Sequence, residues 1–362
     1  MNKPLSYNFK DILWAPARAL SAKKILVMTL YIIGALLIYD IFTYIALVID
    51  GEKIDAVWSA YDIFPFFKFT YGNLIAEVIF ILGCCFALLS LMFGFTGVSI
   101  IEIEAIRGNR FFSAMDALKF SIARFKQVFL AMLGMAVFVL FVIILFALLG
   151  LVCRIPFIGE WLYTILFVIP NFIIAIFTVF IFLIIHIAFI LLPATAAADK
   201  KAEAFQAILE TFSTFIRQPL RWLGYTIYSL VAGKLASFIY AYFCYRAIEF
   251  TAWASALGGG HKMTGLVKSG LTHLPYRSDL VEQALNIFPG IDFGINLIKY
   301  ARPTVSDPAS YLMALMLLVI FITVIAYFFS VIATAQARAY VVIRYLKDDY
   351  QIADEPPEGD EG

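Results

Sequence analysis

Lys234 stands alone in the apolar run "YSLVAGKLASFIYAYF", residues 228–243, with no other charged side chain between Arg221 and Arg246. An ammonium group at the centre of a bilayer costs about 2.5–3.5 kcal/mol on insertion scales, so such a residue pairs or lines a cavity. Two carboxylates lie in other apolar runs: Asp40 within 25–49 and Glu77 near the start of 73–100. If these runs cross a bilayer as helices, Asp40 and Glu77 come to similar depths and Lys234 roughly 5–8 Å deeper, within reach of a flexible lysine. Either Lys234 contacts neither carboxylate, or one of three chemistries follows. Lys234 with Asp40 or Glu77 fixes helix register; the three form a cation or proton site for transport; or Lys234 gives up its proton, because burial lowers a lysine pKa. His186, near the inner end of the fourth run, reads as an interfacial group.

Composition dictates the elements that must hold these residues. The chain has 362 residues, 63% hydrophobic and 15% charged, whereas a soluble domain is about half apolar and one quarter charged. Surface-to-volume scaling leaves no soluble fold of this size able to bury so much apolar side chain. Six runs reach the roughly 20 residues a spanning helix needs: 25–49, about 73–100, about 127–152, a fourth within 161–193, about 222–245 and about 309–335. Pro170–Asn171 start or kink the fourth. The first run is too long, and starts too late, for a cleaved signal peptide. The expectation is an all-α integral membrane protein of six helices: a single polytopic domain over 1–348, with an outer loop at about 249–308. An acidic, proline-bearing tail, 349–362, follows and reads as disordered.

Lysine and arginine set orientation. Segments 1–24, 101–126, 196–221 and the tail carry seventeen of them, against three (Lys53, Lys68 and Arg154) in the two short loops between. Both termini are therefore expected in the cytoplasm of a prokaryote, at its inner membrane. Net charge is +1, which gives no nucleic-acid footprint. The four cysteines, Cys84, Cys85, Cys153 and Cys244, form no CxxC pair and read as small packing residues.

Two cytoplasmic segments match at an offset of 93: Phe112 with Phe205, Ala114 with Ala207, Arg124 with Arg217. Phe111, Met115, Leu118, Ile122 and Phe125 form one apolar stripe at helical spacing, and Phe205, Ile208, Phe212 and Phe215 form a second. Asp116, Lys119 and Lys126 in one, and Glu203, Gln206, Glu210 and Arg217 in the other, take the wet side. "FKDILWAPARALSAKK" before the first span is a poorer third copy. The pattern suggests a threefold repeat of amphipathic helix plus two spans. Each such helix either lies in the headgroup plane as a platform for lipid or a partner, or serves only as an elbow into the next span.

The stretch "LLPATAAADKKAEAFQAILETFSTFIRQPLRWLGY" and the ending "FFSVIATAQARAYVVIRYLKDDY" resemble a broad group of prokaryotic multi-span proteins. That group includes the membrane domain found beside some glycerophosphodiester phosphodiesterases. The resemblance covers about 100–350 and implies architecture: a span ending in the cytoplasm, an amphipathic helix, re-entry, and a last span closed by Tyr340 to Arg344. It implies no activity, and the phosphodiesterase domain itself is absent from the sequence.

No catalytic fingerprint stands out. "ALGGGHKMTG" fails the phosphate-loop spacing, and His261 and His273, twelve apart, lack further clustered ligands, so neither a cofactor nor a metal is implied. "SDLVEQALNIF" reads as a short helix capped at Ser278; Trp253, Tyr276 and Tyr300 suit an aromatic belt. The sequence points to a non-enzymatic scaffold or complex subunit organising lipid or a partner at the membrane surface, its partners being membrane lipids and a protein partner or second copy, not nucleic acid. The alternative is a transporter or channel-like protein with Lys234, Asp40 and Glu77 in its path.

Overall fold

The computed structural model describes residues 5–61, 71–152, 154–156, 158–199, 203–274 and 307–357. Of the described residues 87% are helical, and no strand occurs among them. Two short helices, α1 (Phe9–Leu13) and α2 (Ala15–Ala19), lead into α3 (Ala22–Ile49). Then come α4 (Ile54–Tyr61), α5 (Leu74–Ile106), α6 (Ala114–Ala123), α7 (Phe125–Val152), α8 (Ile158–Leu166) and α9 (Phe172–Ala198). The chain continues through α10 (Ala204–Arg217), α11 (Pro219–Gly259), α12 (His261–Thr272) and α13 (Asp307–Asp348).

Among the described residues five helices, α3, α5, α7, α11 and α13, are long and apolar enough to cross a membrane. The fourth run passes the same test only as a pair of helices bent by 51°. The bend falls at Phe167–Asn171, a π-turn containing Pro170. Proline removes an amide donor and clashes with the preceding turn, and the wider winding absorbs both effects.

Packing divides the chain into two compact units. The second comprises Leu20–Leu91 and Leu230–Ser330. In it α3 and α5 run antiparallel and nearly touch at a glycine: a Cβ on Gly83 would lie 2.3 Å from that of Phe42. Seven residues further along α5, the Ser90 hydroxyl donates to the Tyr31 carbonyl at 2.9 Å. Gly233 serves α11 and α13 in the same way, against the Phe328 ring at 3.2 Å. Small residues let helix backbones approach where no hydrophobic force drives them together. α12 is pinned to α13 by buried Leu271, Leu274, Ala314 and Leu317. Hydroxyls reinforce it: His273 Nε2 lies 2.9 Å from Ser310 Oγ, which is 2.6 Å from Ser269 Oγ.

The first unit comprises Met1–Ala19, Met92–Ser229 and Val331–Gly362. α7, α9 and α10 pack on one another, with the buried Thr195 and Thr211 hydroxyls 3.2 Å apart. α6 opens with a capping box in which Ser113 and Asp116 satisfy each other's backbone amides; Asn8 and Asp11 do the same for α1. α6 buries Ala117, Phe120 and Ser121, and α10 buries Ala207, Thr211, Thr214 and Phe215. Helix starts (Ala114 and Ala204) and buried small residues (Ala117 and Ala207, Ser121 and Thr211) thus correspond at an offset of 90. The sequence match at 93 pairs Phe112, 7% exposed, with Phe205, 69% exposed, two side chains in opposite environments.

The tail also departs from expectation. Residues 349–357 fold back instead of trailing into solvent. Asp349, at φ +55°, forms a left-handed C-cap of the kind a short polar side chain tolerates. A 3₁₀ turn at Ile352–Asp354 then buries Ile352 completely. Acidity favours solvent only until a cation offers a partner, and Arg107 does so.

Candidate functional site

A cluster of charged residues lies in the first unit, at the end of α5. The sequence there is "SIIEIEAIRGN", residues 99–109. Gly108, at φ +103°, ends the helix, and the Asn109 amide donates back to the Glu104 carbonyl at 2.8 Å, the Schellman pattern. Glu102 and Glu104, both buried, sit two positions apart on a helix and so point in nearly opposite directions. They take different partners.

Glu102 Oε1 accepts from Arg338 Nε at 2.5 Å and lies 3.8 Å from Arg18. Arg338, from α13, also donates through Nη1 to the Asp11 carbonyl at 2.9 Å, one of the unpaired carbonyls that every helix end leaves. Glu104 Oε1 accepts from Arg107 Nη1 at 3.0 Å. Arg107 Nη2 donates to the Ala198 carbonyl, the last of α9, at 2.8 Å, and to Glu355 of the tail. A cation at a helix C-terminus is favoured by the helix dipole as well as by the hydrogen bond.

Around this centre lies a second group. Lys347 Nζ donates to Glu210 Oε1 at 2.6 Å, tying α13 to α10. Arg344 Nη1 donates to the buried Tyr340 hydroxyl at 2.5 Å and stacks over the Tyr350 ring at 4.8 Å. The buried Trp222 indole donates to Gln336 Oε1 at 3.1 Å, and Gln336 Nε2 donates to Thr226 Oγ1 at 2.9 Å. Carboxylates are matched by guanidinium and ammonium groups throughout. The arrangement holds α1, α2, α5, α9, α10, α11, α13 and the tail to one centre.

The intramembrane cluster expected from the sequence is not assembled. No ion pair joins Lys234 to Asp40 or Glu77 among the described residues; Lys234 and Glu77 are exposed, and Asp40 is half-buried. The register explains why. The Ser330 hydroxyl meets the Lys24 carbonyl at 3.5 Å, and Gly233 meets Phe328, so Lys234 lies near the start of α3. Asp40 is sixteen residues beyond Lys24, which at about 1.5 Å per residue puts it about 20 Å from the level of Lys234. Glu77, six residues before Gly83 on α5, is further still. The midpoint of the run 222–245 is not the midpoint of α11, which continues to Gly259.

The amphipathic faces fare differently. Phe111, Met115, Ile122 and Phe125 are exposed, Phe111 to 97%, and Leu118 is half-buried. In α10 the outward stripe is Phe205, Leu209 and Ile216, while Ile208 and Phe212 are half-buried and Phe215 is buried. Phe215 packs edge-on against Trp222 at 5.7 Å, because α10 turns that side to α7 and α9. Glu210, expected on the wet side, is drawn in by Lys347. His186 falls within α9, and Trp253 is exposed on α11. The helix expected at Ser278, with Tyr276 and Tyr300, lies outside the described residues.

The chain matches no protein-family model, no curated protein and no solved structure. Its site is therefore read from its own residues. Sequence reasoning used Arg107 and Arg338 only as topology charges and overlooked Glu102 and Glu104. The signal was present: three ionisable residues in six, continuing an apolar run in helical phase up to a glycine stop.

The cap of α6 gives a pH prediction. The Asp116 carboxyl is held below its ordinary range, chiefly by the Ser113 hydroxyl, which donates to it at 2.6 Å, and by the Ser113 amide. A depressed carboxyl pKa contributes stability above the unfolded value of about 3.9, lost as pH falls through the folded one. The first turn of α6 should therefore exchange amide hydrogens faster below about pH 4 than its neighbours do. Asp116→Asn should show that loss already at neutral pH; equal protection in both proteins across the range would exclude this role.

Proposed function

We propose that the chain is a multi-pass scaffold or complex subunit of a prokaryotic inner membrane that organises lipid or a partner protein at the cytoplasmic surface. One observation carries the reading: α6 and α10 leave their large apolar side chains uncovered while their opposite faces are fixed to the rest of the first unit. Helices of this kind suit the headgroup plane. Cytoplasmic termini agree with the seventeen-to-three bias of basic residues, and with Tyr7 stacking on Tyr345 at 4.0 Å, which keeps both chain ends in one unit. In this reading the bent α8–α9 pair is the fourth of six crossings. The shared capping boxes of α1 and α6, and the common burial pattern of α6 and α10, support a repeat of interfacial helix plus two spans. The transport alternative puts Lys234 and a carboxylate at one site, whereas the register sets Lys234 about 20 Å from the level of Asp40.

The test is native mass spectrometry of protein extracted in mild detergent from its own membrane, wild type against Phe111→Ser/Met115→Ser/Phe205→Ser/Leu209→Ser. Each large apolar side chain buried in lipid or a partner contributes about 1.5–3 kcal/mol. Retention of lipid or partner should fall at least about tenfold with the helical content unchanged. Unchanged retention would reduce these helices to elbows.

A further inference from the structure

The Arg107 side chain, in the first unit, is fully buried. It holds Glu104 through Nη1, and the Ala198 carbonyl and Glu355 through Nη2. Among the described residues its Nε–H has no hydrogen-bond partner. Nε and Nη2 form one edge of the guanidinium, the edge that takes a two-oxygen anion side-on. Glu355 uses only half of it. Its other oxygen, Oε1, accepts from the Tyr350 hydroxyl at 2.6 Å, which holds that phenol above its ordinary pKa.

Glu355 arrives on the short segment 349–357, in which Ile352 is fully buried and Gln351 accepts an exposed 3.4 Å bond from Tyr7. A carboxylate of the chain's own tail thus occupies one donor of a buried two-donor edge. A phosphodiester carries the same single negative charge and offers two non-bridging oxygens to that edge. Glu104 and the Ala198 carbonyl also face the guanidinium, so a more highly charged anion would be repelled more strongly than a monoanion.

We propose that Glu355 is an internal ligand of an anion site at Arg107, and that a phospholipid phosphodiester headgroup displaces it, releasing the tail. This rests on the surface reading above and names its ligand chemistry. In the full chain in detergent, hydrogen exchange is followed at Asp354 and Glu355, whose amides donate to the Gln351 and Ile352 carbonyls at 3.1 and 3.3 Å. Adding dihexanoyl phosphatidylglycerol should speed exchange there about tenfold. Inorganic phosphate acting equally would identify free phosphate as the source; neither probe acting would overturn the site. Glu355→Gln should exchange fast without lipid and retain more phospholipid in native mass spectrometry; a protected tail with unchanged retention would also overturn it. Failure here is separable from failure of the scaffold reading. The α6 and α10 variants test the latter through retention alone, and in them the tail should still respond to lipid.

Discussion

Arg338→Met should destabilise the protein by about 3–5 kcal/mol, the cost of leaving a buried charge without its partner. Glu102 is buried and lies 2.5 Å from Arg338; Arg18, at 3.8 Å with its side chain 43% exposed, makes a longer and more solvated contact. The same substitution strands the Asp11 carbonyl, for about a further 1–3 kcal/mol if no water enters. The informative comparison is the double variant Glu102→Met/Arg338→Met. Removing both charges at similar volume is often neutral or stabilising, so the double variant should recover most of the loss. Equilibrium unfolding in mixed micelles of mild detergent and dodecyl sulfate would measure all three proteins. A double variant as unstable as the single would mean that Arg338 acts through its carbonyl contact and not through Glu102.

That pair also shows where sequence reading stops. Hydropathy marks how much of a helix is apolar, and it located α3, α5, α7, α11 and α13 with good starts for most of them. It could not mark how far each helix continues. α5 runs to Ile106 and α13 to Asp348 because Glu102 is buried against Arg338 and Arg107 against Glu104 and Glu355, and burial by pairing leaves no trace in an average of single-residue scales. The error at Lys234 has the same root. Its depth was judged from the ends of an apolar run, but α11 extends fourteen residues past Tyr245, so the run is off-centre on its helix. The α10 stripe was missed by one position, since Phe205, Ile208, Phe212 and Phe215 satisfy helical spacing as well as Phe205, Leu209 and Ile216 do. Only the presence of α7 and α9 decides which set is covered. Turn chemistry, in contrast, was local and legible: the glycine after "EIEAIR" and the Ser113–Asp116 spacing both do what their side chains dictate.

Trp222→Ala should produce a loss of similar size at a different place. Trp222 is almost completely buried at the start of α11, and truncating a buried tryptophan costs about 3–5 kcal/mol. It also faces α10 through Phe215 and α13 through Gln336, so the cavity opens where the interfacial helix is fastened. Trp222→Phe separates these roles. It keeps an aromatic ring for Phe215 but leaves Gln336 Oε1 without its donor, for about 1–3 kcal/mol. Leu223→Ala, next in sequence but exposed, should be nearly silent in stability. Hydrogen exchange should rise across Ala204–Arg217 in Trp222→Ala and stay unchanged at the α3–α5 contact around Gly83, which lies in the other unit. If exchange rose equally in both places, the tryptophan would be a general core residue. If it rose only in α10, Trp222 would be the fastening that sets how firmly the apolar stripe of α10 is presented, and lipid or partner retention should fall in Trp222→Ala although none of the stripe residues has been changed.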